Sequence, residues 1–276
     1  MVSDKLRLDD RVAIVTGGGT GLGRAMALAF ARAGADVAIG ARRPGPIEET
    51  AELVRGLGRR ALALPTDVTV SAQCDHLVET TVRQLGRLDI LVNNAGIDRA
   101  TPRGKPLIEI TDEEWRRGID INLSGAFYCA RAAARVMLQQ RRGVILNIAS
   151  GWGYRGYRDS FMYPAAKGGV IQLTRALAMT LQPHGIRVLG LAPGFFAQSP
   201  PANDEERALQ RERGKFIPVG RIGQADEIGP LALFLVSDAA DYLVGETVPL
   251  DGGGLAGGAA PWGFEPRVGI GSQHAD

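Results

Sequence analysis

Cysteine is scarce in this chain: Cys74 and Cys129 are the two among 276 residues, and histidine occurs three times. Two thiols in helix-patterned segments make no disulfide framework and read as small hydrophobes, which fits a reducing cytoplasm. No metal site is expected. Excess charge is lacking too, with 32 Lys and Arg against 30 Asp and Glu. A net charge of +2 gives no reason to expect nucleic acid or a membrane surface as partner. No apolar run approaches the roughly 20 residues of a membrane span. The opening MVSDKLRLDDR has no apolar stretch, so no secretory signal is expected. What remains is ordinary globular material, 45% hydrophobic and 22% charged, with length for one large α/β domain.

Glycine is plentiful, with 37 residues, and its placement is informative. Val12 to Val15 is a continuous apolar run, as in a strand buried on both faces of a parallel sheet. The run TGGGTGLG, residues 16–23, follows, then an Ala-rich helix over 24–33, with Gly34 where a C-cap belongs. A glycine loop between strand and helix lets the backbone approach a phosphate and aims a helix N-terminus at its charge. Gly17, Gly19, Thr20, Gly21, Leu22 and Gly23 are therefore candidate cofactor contacts, although the spacing is G-x-x-x-G-x-G rather than G-x-G-x-x-G. The second strand, 36–41, should carry at its tip an acid for the adenosine ribose. Here the tip is Ala41, followed by Arg42 and Arg43. Two guanidiniums without an acid suit a 2′-phosphate, which favours NADP(H) over NAD(H).

The alternation continues with a helix over 47–57 and a strand over 61–64. Asp67-Val68 then stands at a strand end, where Asp67 either accepts from an adenine amino group or caps the helix starting near Ser71. The strand 88–92 closes in Asn93-Asn94-Ala95-Gly96, small residues and amides suited to a ligand crevice. A long helix is expected over 112–140, with Thr111 as N-cap; Asn122 and Gly125 inside it are poor helix formers that ask for a reason. The strand 143–148 leads to Ser150. Tyr163 and Lys167 follow, four apart and so on one face of a helix expected over 163–181. A tyrosine hydroxyl titrates near ~10, and an ammonium beside it favours the phenolate, so the pair can exchange a proton with a substrate oxygen near neutral pH. A strand at 185–191 ends in Pro193-Gly194. Helices at 203–213 and 224–237, a strand at 246–250 and a Gly-rich tail over 254–276 complete one βα domain.

In order and spacing, TGGGTGLG, Asp67-Val68, NNAG at 93–96, Asn122, Ser150, YPAAK at 163–167, Pro193-Gly194 and DGG at 251–253 resemble the short-chain dehydrogenase/reductase family over residues 8–253. The resemblance implies a doubly wound Rossmann domain with seven parallel strands in the order 3-2-1-4-5-6-7, and a homotetramer built on the 112–140 and 163–181 helices. It implies Tyr163 as general acid or base, with Lys167 lowering its pKa and binding the nicotinamide ribose. Ser150 would steady the substrate oxygen, and Asn122 would bond a water that relays protons to Lys167. Cofactor contacts would include Asn94, Ala95, Gly96, Pro193, Gly194 and Phe196. The family often has a threonine where this chain has Gln198. The implied activity is hydride transfer between the dinucleotide and a carbonyl or secondary alcohol. An NAD(H)-dependent dehydrogenase with the same site is the alternative; a non-catalytic dinucleotide sensor is disfavoured because the four catalytic residues are all present.

Substrate contacts are expected from GWGYRGYRD at 151–159, FFAQSPPANDEE at 195–206 and IDRATPRGKP at 97–106. Trp152, Tyr154, Phe195 and Phe196 could form an apolar or sugar-stacking wall, and Arg155, Arg158, Arg99 or Arg103 could meet an anion. Both a 3-oxoacyl thioester reductase and a sugar or polyol dehydrogenase fit this pattern. The segment 195–215 is a candidate lid.

Overall fold

The computed structural model of the chain describes residues 2–97, 105–156 and 160–257. The apolar runs become strands β1 (Val12–Thr16), β2 (Asp36–Ala41), β3 (Ala61–Pro65), β4 (Ile90–Asn93), β5 (Gly143–Ile148), β6 (Ile186–Pro193) and β7 (Thr247–Leu250). They pair in parallel in the order β3-β2-β1-β4-β5-β6-β7, as expected. The runs need no polar alternation because successive side chains enter two different apolar layers. Ala13, Val15, Ile39 and Leu146 meet Phe30 of α1 (Gly21–Arg32), Ala51 of α2 (Pro44–Gly56) and Leu235 of a helix near the C-terminus (Ile228–Val236). Ile14, Ala38, Leu91 and Ile145 meet Leu77 of α3 (Ser71–Leu85) and residues of the helices between β4 and β6. Each large side chain buried this way contributes roughly 1.5–3 kcal/mol of transfer free energy.

The expected 112–140 helix is interrupted. α4 (Asp112–Ile119) is followed by a π-turn (Asp120–Ser124) and then α5 (Gly125–Gln140). Thr111 caps α4 as expected, in a capping box with Glu114. Asn122 sits inside the π-turn, so the residue that looked awkward mid-helix marks a break. Gly125 is needed where the helix resumes, because a Cβ there would stand 2.7 Å from Val68 Cγ2. β4 begins at Ile90, two residues later than expected, although the backbone of Asp89 already bonds to Val12 (2.9 Å) and Val144 (2.8 Å). Its carboxylate takes the Val12 N–H (2.9 Å) and both nitrogens of an Arg87 fork (2.7 Å each).

α6 (Met162–Leu181) carries the Tyr–Lys pair. After β6, Phe196–Ala197 pairs with Gly223–Gln224 and fastens both ends of an excursion that holds α7 (Asp204–Gly214). Asn203 caps α7, accepting from the Glu206 N–H at 2.8 Å. The region expected as one helix over 224–237 divides into a 3-10 turn (Ala225–Glu227) and α8 (Ile228–Val236).

Candidate active site

The carboxyl ends of β1, β4, β5 and β6 converge on one cleft. Thr16, the last residue of β1, is buried, and its hydroxyl oxygen accepts from the Asn94 N–H (3.0 Å) and the Ala95 N–H (3.1 Å). Asn94 returns its amide to the carbonyls of Thr16 (2.9 Å) and Gly17 (3.2 Å). The glycine loop is thus built against the NNAG turn. Gly23 has a specific reason to lack a side chain, since a Cβ would lie 2.6 Å from Asn94 Nδ2 and clash with the Gly17 carbonyl. Gly19 turns away from this contact and packs on Pro46 and Ile47 at the start of α2.

A dinucleotide fits these residues. Thr20 at the N-cap of α1 makes no side-chain cap bond, so the N–H groups of the first turn stay available to a diphosphate. Arg42 and Arg43 are exposed beyond the half-buried Ala41, with no acid at the tip. Asp67 is not the cap of α3, whose N-cap is Val70. Its Oδ1 instead closes a turn, accepting from the Thr69 N–H (3.0 Å) and hydroxyl (2.8 Å), which leaves Oδ2 for an adenine amino group. Val68 beside it is buried. The Gln198 carboxamide lies where a side chain on Gly21 would stand, reaching from the segment after Gly194 to the glycine loop.

Lys167 is 4% exposed, and burial pushes its ammonium down to about 8. Its Nζ donates to the Ile148 carbonyl at 2.8 Å and stands 5.7 Å from the centre of the Tyr163 ring. No carboxylate pairs with it in the described residues. Ser150 is buried at the end of the β5 segment and accepts from the Trp152 N–H at 3.2 Å. Asn122 clamps the chain after NNAG: Oδ1 accepts from the Ile97 N–H (3.1 Å), and Nδ2 donates to the Ile97 (2.9 Å) and Gly118 (3.0 Å) carbonyls. Gly96 leaves open the space between Asn122 and Lys167, where a Cβ would lie 2.8 Å from Asn122 Oδ1 and 3.5 Å from Lys167 Nζ.

Two residues that the sequence did not single out hold this arrangement. Asn147 is fully buried in β5, accepts from Asn93 Nδ2 (2.9 Å) and donates to the Thr174 hydroxyl (3.0 Å), which ties β4 and β5 to α6. Thr16 organises the NNAG turn. The signal for Asn147 was a polar residue inside the otherwise apolar GVILNI; for Thr16 it was a hydroxyl next to the glycines.

The expected aromatic wall forms only in part. Trp152 meets Phe195 edge-on, with ring centres 5.9 Å apart and planes at 82°. Tyr154 is turned elsewhere, because its hydroxyl donates to the Thr247 carbonyl (2.8 Å) on β7. The Phe196 ring covers Gly223, so its side chain serves the small ladder rather than the cleft. Arg155 lies over Trp152. Arg99, Arg103 and Arg158 lie outside the described residues, as does the tail beyond 257.

Known proteins share this frame. The sequence model described as Enoyl-(Acyl carrier protein) reductase matches residues 17–254. A 3-oxoacyl-[acyl-carrier-protein] reductase of Synechocystis is 38% identical over 89% of this chain and 97% of its own length. A 2-dehydro-3-deoxy-D-gluconate 5-dehydrogenase of Dickeya dadantii is 36% identical over 93% of this chain and all of its own. The solved structure of carveol dehydrogenase from Mycobacterium avium in complex with NAD superposes with a TM-score of 0.81 at 33% identity, covering 91% of this chain and 99% of that one. With the sheet order, the glycine loop and the Ser–Tyr–Lys cleft in place, the chain belongs to the short-chain dehydrogenase/reductase family, oxidoreductases that work with a nicotinamide dinucleotide.

Proposed function

We propose that this chain reduces a carbonyl to a secondary alcohol, or runs the reverse reaction, with NADP(H), and that Tyr163, Lys167, Ser150 and Asn122 are its catalytic set. The observation that carries this reading is the buried Lys167, held beside Tyr163 with no carboxylate to neutralise it among the described residues. In reduction Tyr163 gives its hydroxyl proton to the carbonyl oxygen, and the Ser150 hydroxyl donates a hydrogen bond to that oxygen as charge builds on it. The ammonium of Lys167 stabilises the phenolate left behind. A water between Gly96, Asn122 and Lys167 can return the proton, because Asn122 Oδ1 keeps one lone pair free of its bond to Ile97. When bound, the dinucleotide supplies the hydride. Gly17, Gly21, Leu22, Gly23, Asn94, Ala95, Lys167, Pro193 and Gly194 would hold it.

Arg42 and Arg43 support NADP(H), since among the described residues neither pairs with an acid that would compete for the 2′-phosphate. The substrate is a 3-oxoacyl thioester or a sugar-type alcohol, the two chemistries named for the Synechocystis and Dickeya relatives. The chain works as one domain with its core over 8–253, in the cytoplasm, as a homotetramer. Half-exposed Trp115, Phe127 and Leu138 and the exposed Met179, on α4, α5 and α6, favour an assembly that covers them. Initial rates on 3-oxoacyl esters, keto-sugars and diketones, each with NADPH and with NADH, test the proposal. Turnover with NADPH is expected; a preference for NADH would remove the phosphate role of the arginines.

A further inference from the structure

Arginines in this protein are commonly matched to acids, as Arg11 is to Asp238, Arg60 to Asp36, Arg87 to Asp89 and Arg221 to Glu227. Arg155 is different. It stands in the loop that leaves Ser150, half-buried, with its guanidinium carbon 4.6 Å from the centre of the Trp152 ring. Nη1 donates to the Gly254 carbonyl at 2.9 Å. Nε is shut off from solvent and has no hydrogen-bond partner. Asp251, on the turn next to Gly254, does not supply one, because its carboxylate takes the N–H groups of Gly253 (3.0 Å) and Leu255 (2.6 Å). A fixed cation with an idle donor and no counter-charge among the described residues is costly to keep for packing alone.

Its position suggests what would complete it. Trp152 bridges Arg155 to the reacting end of the cleft: its N–H donates to Ser150 Oγ and its ring meets Phe195. Stacking on the indole and the bond to Gly254 hold the guanidinium in one orientation, so little side-chain entropy remains to be lost on binding an anion. With Nε enclosed and Nη1 on Gly254, Nη2 has no partner among the described residues and is the donor that a carboxylate would meet.

We propose that Arg155 anchors a carboxylate at the end of the substrate remote from the reacting carbonyl, so that keto acids and the corresponding hydroxy acids are the preferred substrate class. This rests on the acid–base reading of Tyr163 given above. It narrows the substrate to one that carries its own charge, in preference to a neutral polyol or a neutral thioester.

The test compares keto acids of graded chain length with their methyl esters and with the N-acetylcysteamine thioesters, using NADPH. The full-length enzyme is expected to prefer one acid over its ester in kcat/KM, on the order of ten- to a hundredfold. In R155M, which keeps length and apolar bulk, the preference should vanish through KM for the acid, while ester turnover and NADPH affinity stay as in the parent. R155Q is the second variant, should R155M fold poorly. Calorimetric titration of the acids into the enzyme–NADP+ complex gives a readout independent of turnover. An acid that binds tightly but is not reduced would sustain the anchor and count against the acid–base reading. Esters or thioesters reduced as well as the acids, an acid preference that survives both substitutions, or no acid that binds at all would overturn the proposal.

Discussion

The two ends of the sheet treat charge in opposite ways. At the amino ends of β5 and β6, a depression of about 400 Å³ is lined by Arg11, Arg142, Arg187, Asp238 and Asp241. There the charges are matched. Asp238 pairs with Arg11 and Arg142, and the buried Arg187 donates to the carbonyls of Leu235 (3.0 Å), Ala240 (2.7 Å) and Ser237 (2.8 Å). At the carboxyl ends, Lys167 has one carbonyl and no acid, Arg155 has an idle Nε, and Arg42 and Arg43 have no acid partner among the described residues. A charge whose donors are all met holds structure together. A charge left short is held ready for something outside the chain, and its desolvation cost is borne by the surrounding fold.

The comparison predicts opposite phenotypes. The largest effect is expected for Tyr163→Phe, which should lower kcat by roughly two to four orders of magnitude while NADPH binding stays near that of the parent. Comparable turnover in that variant would remove the proton-transfer role. Arg187→Leu belongs to the other end: it leaves three carbonyls without a charged donor and should cost about 3 kcal/mol in denaturant unfolding, with kcat/KM unchanged. Loss of activity in folded Arg187→Leu protein would break the division between the two ends.

Lys167 connects charge to stability. Its folded pKa of about 8 lies below the usual 10.5, so between these values the unfolded chain holds the proton that the folded chain has released. Stability therefore rises with pH across that window. Relative to Lys167→Met, the parent should gain on the order of 3 kcal/mol between pH 7 and pH 10.5 as the buried ammonium discharges, and a flat difference would show that the ammonium is better solvated than its burial implies. The smallest effect is expected for Arg42→Ala, with KM for NADPH raised about tenfold and KM for NADH hardly changed. Equal loss with both cofactors would assign Arg42 to general electrostatics rather than to the phosphate.

Much of the frame was legible in the chain because it depends on periodicity and punctuation. Runs such as Val12–Val15 read as strands buried on both faces, and the glycine loop, NNAG and YxxxK stand in an order that fixes the sheet. Local pattern did not show which way a side chain turns once neighbours compete for it. Tyr154 looked like part of the wall, yet it finds an acceptor at Thr247, 93 residues away. Phe196 looked like part of the same wall, yet its ring fills the space over Gly223. Asn122 was noticed as awkward, but the π-turn that accommodates it became visible only with the backbone.

By itself the sequence determined the family and the seven parallel strands, and it set Tyr163 and Lys167 at the spacing that the proposed chemistry needs, because residue type and spacing suffice for these. The tertiary structure alone decided that Lys167 is buried without a carboxylate among the described residues, that Thr16 and Asn147 hold the cleft, and that Arg155 lies on Trp152 with a donor unused. Those properties arise from contacts between residues far apart in the chain, where burial raises the cost of an unmatched charge and so gives it meaning.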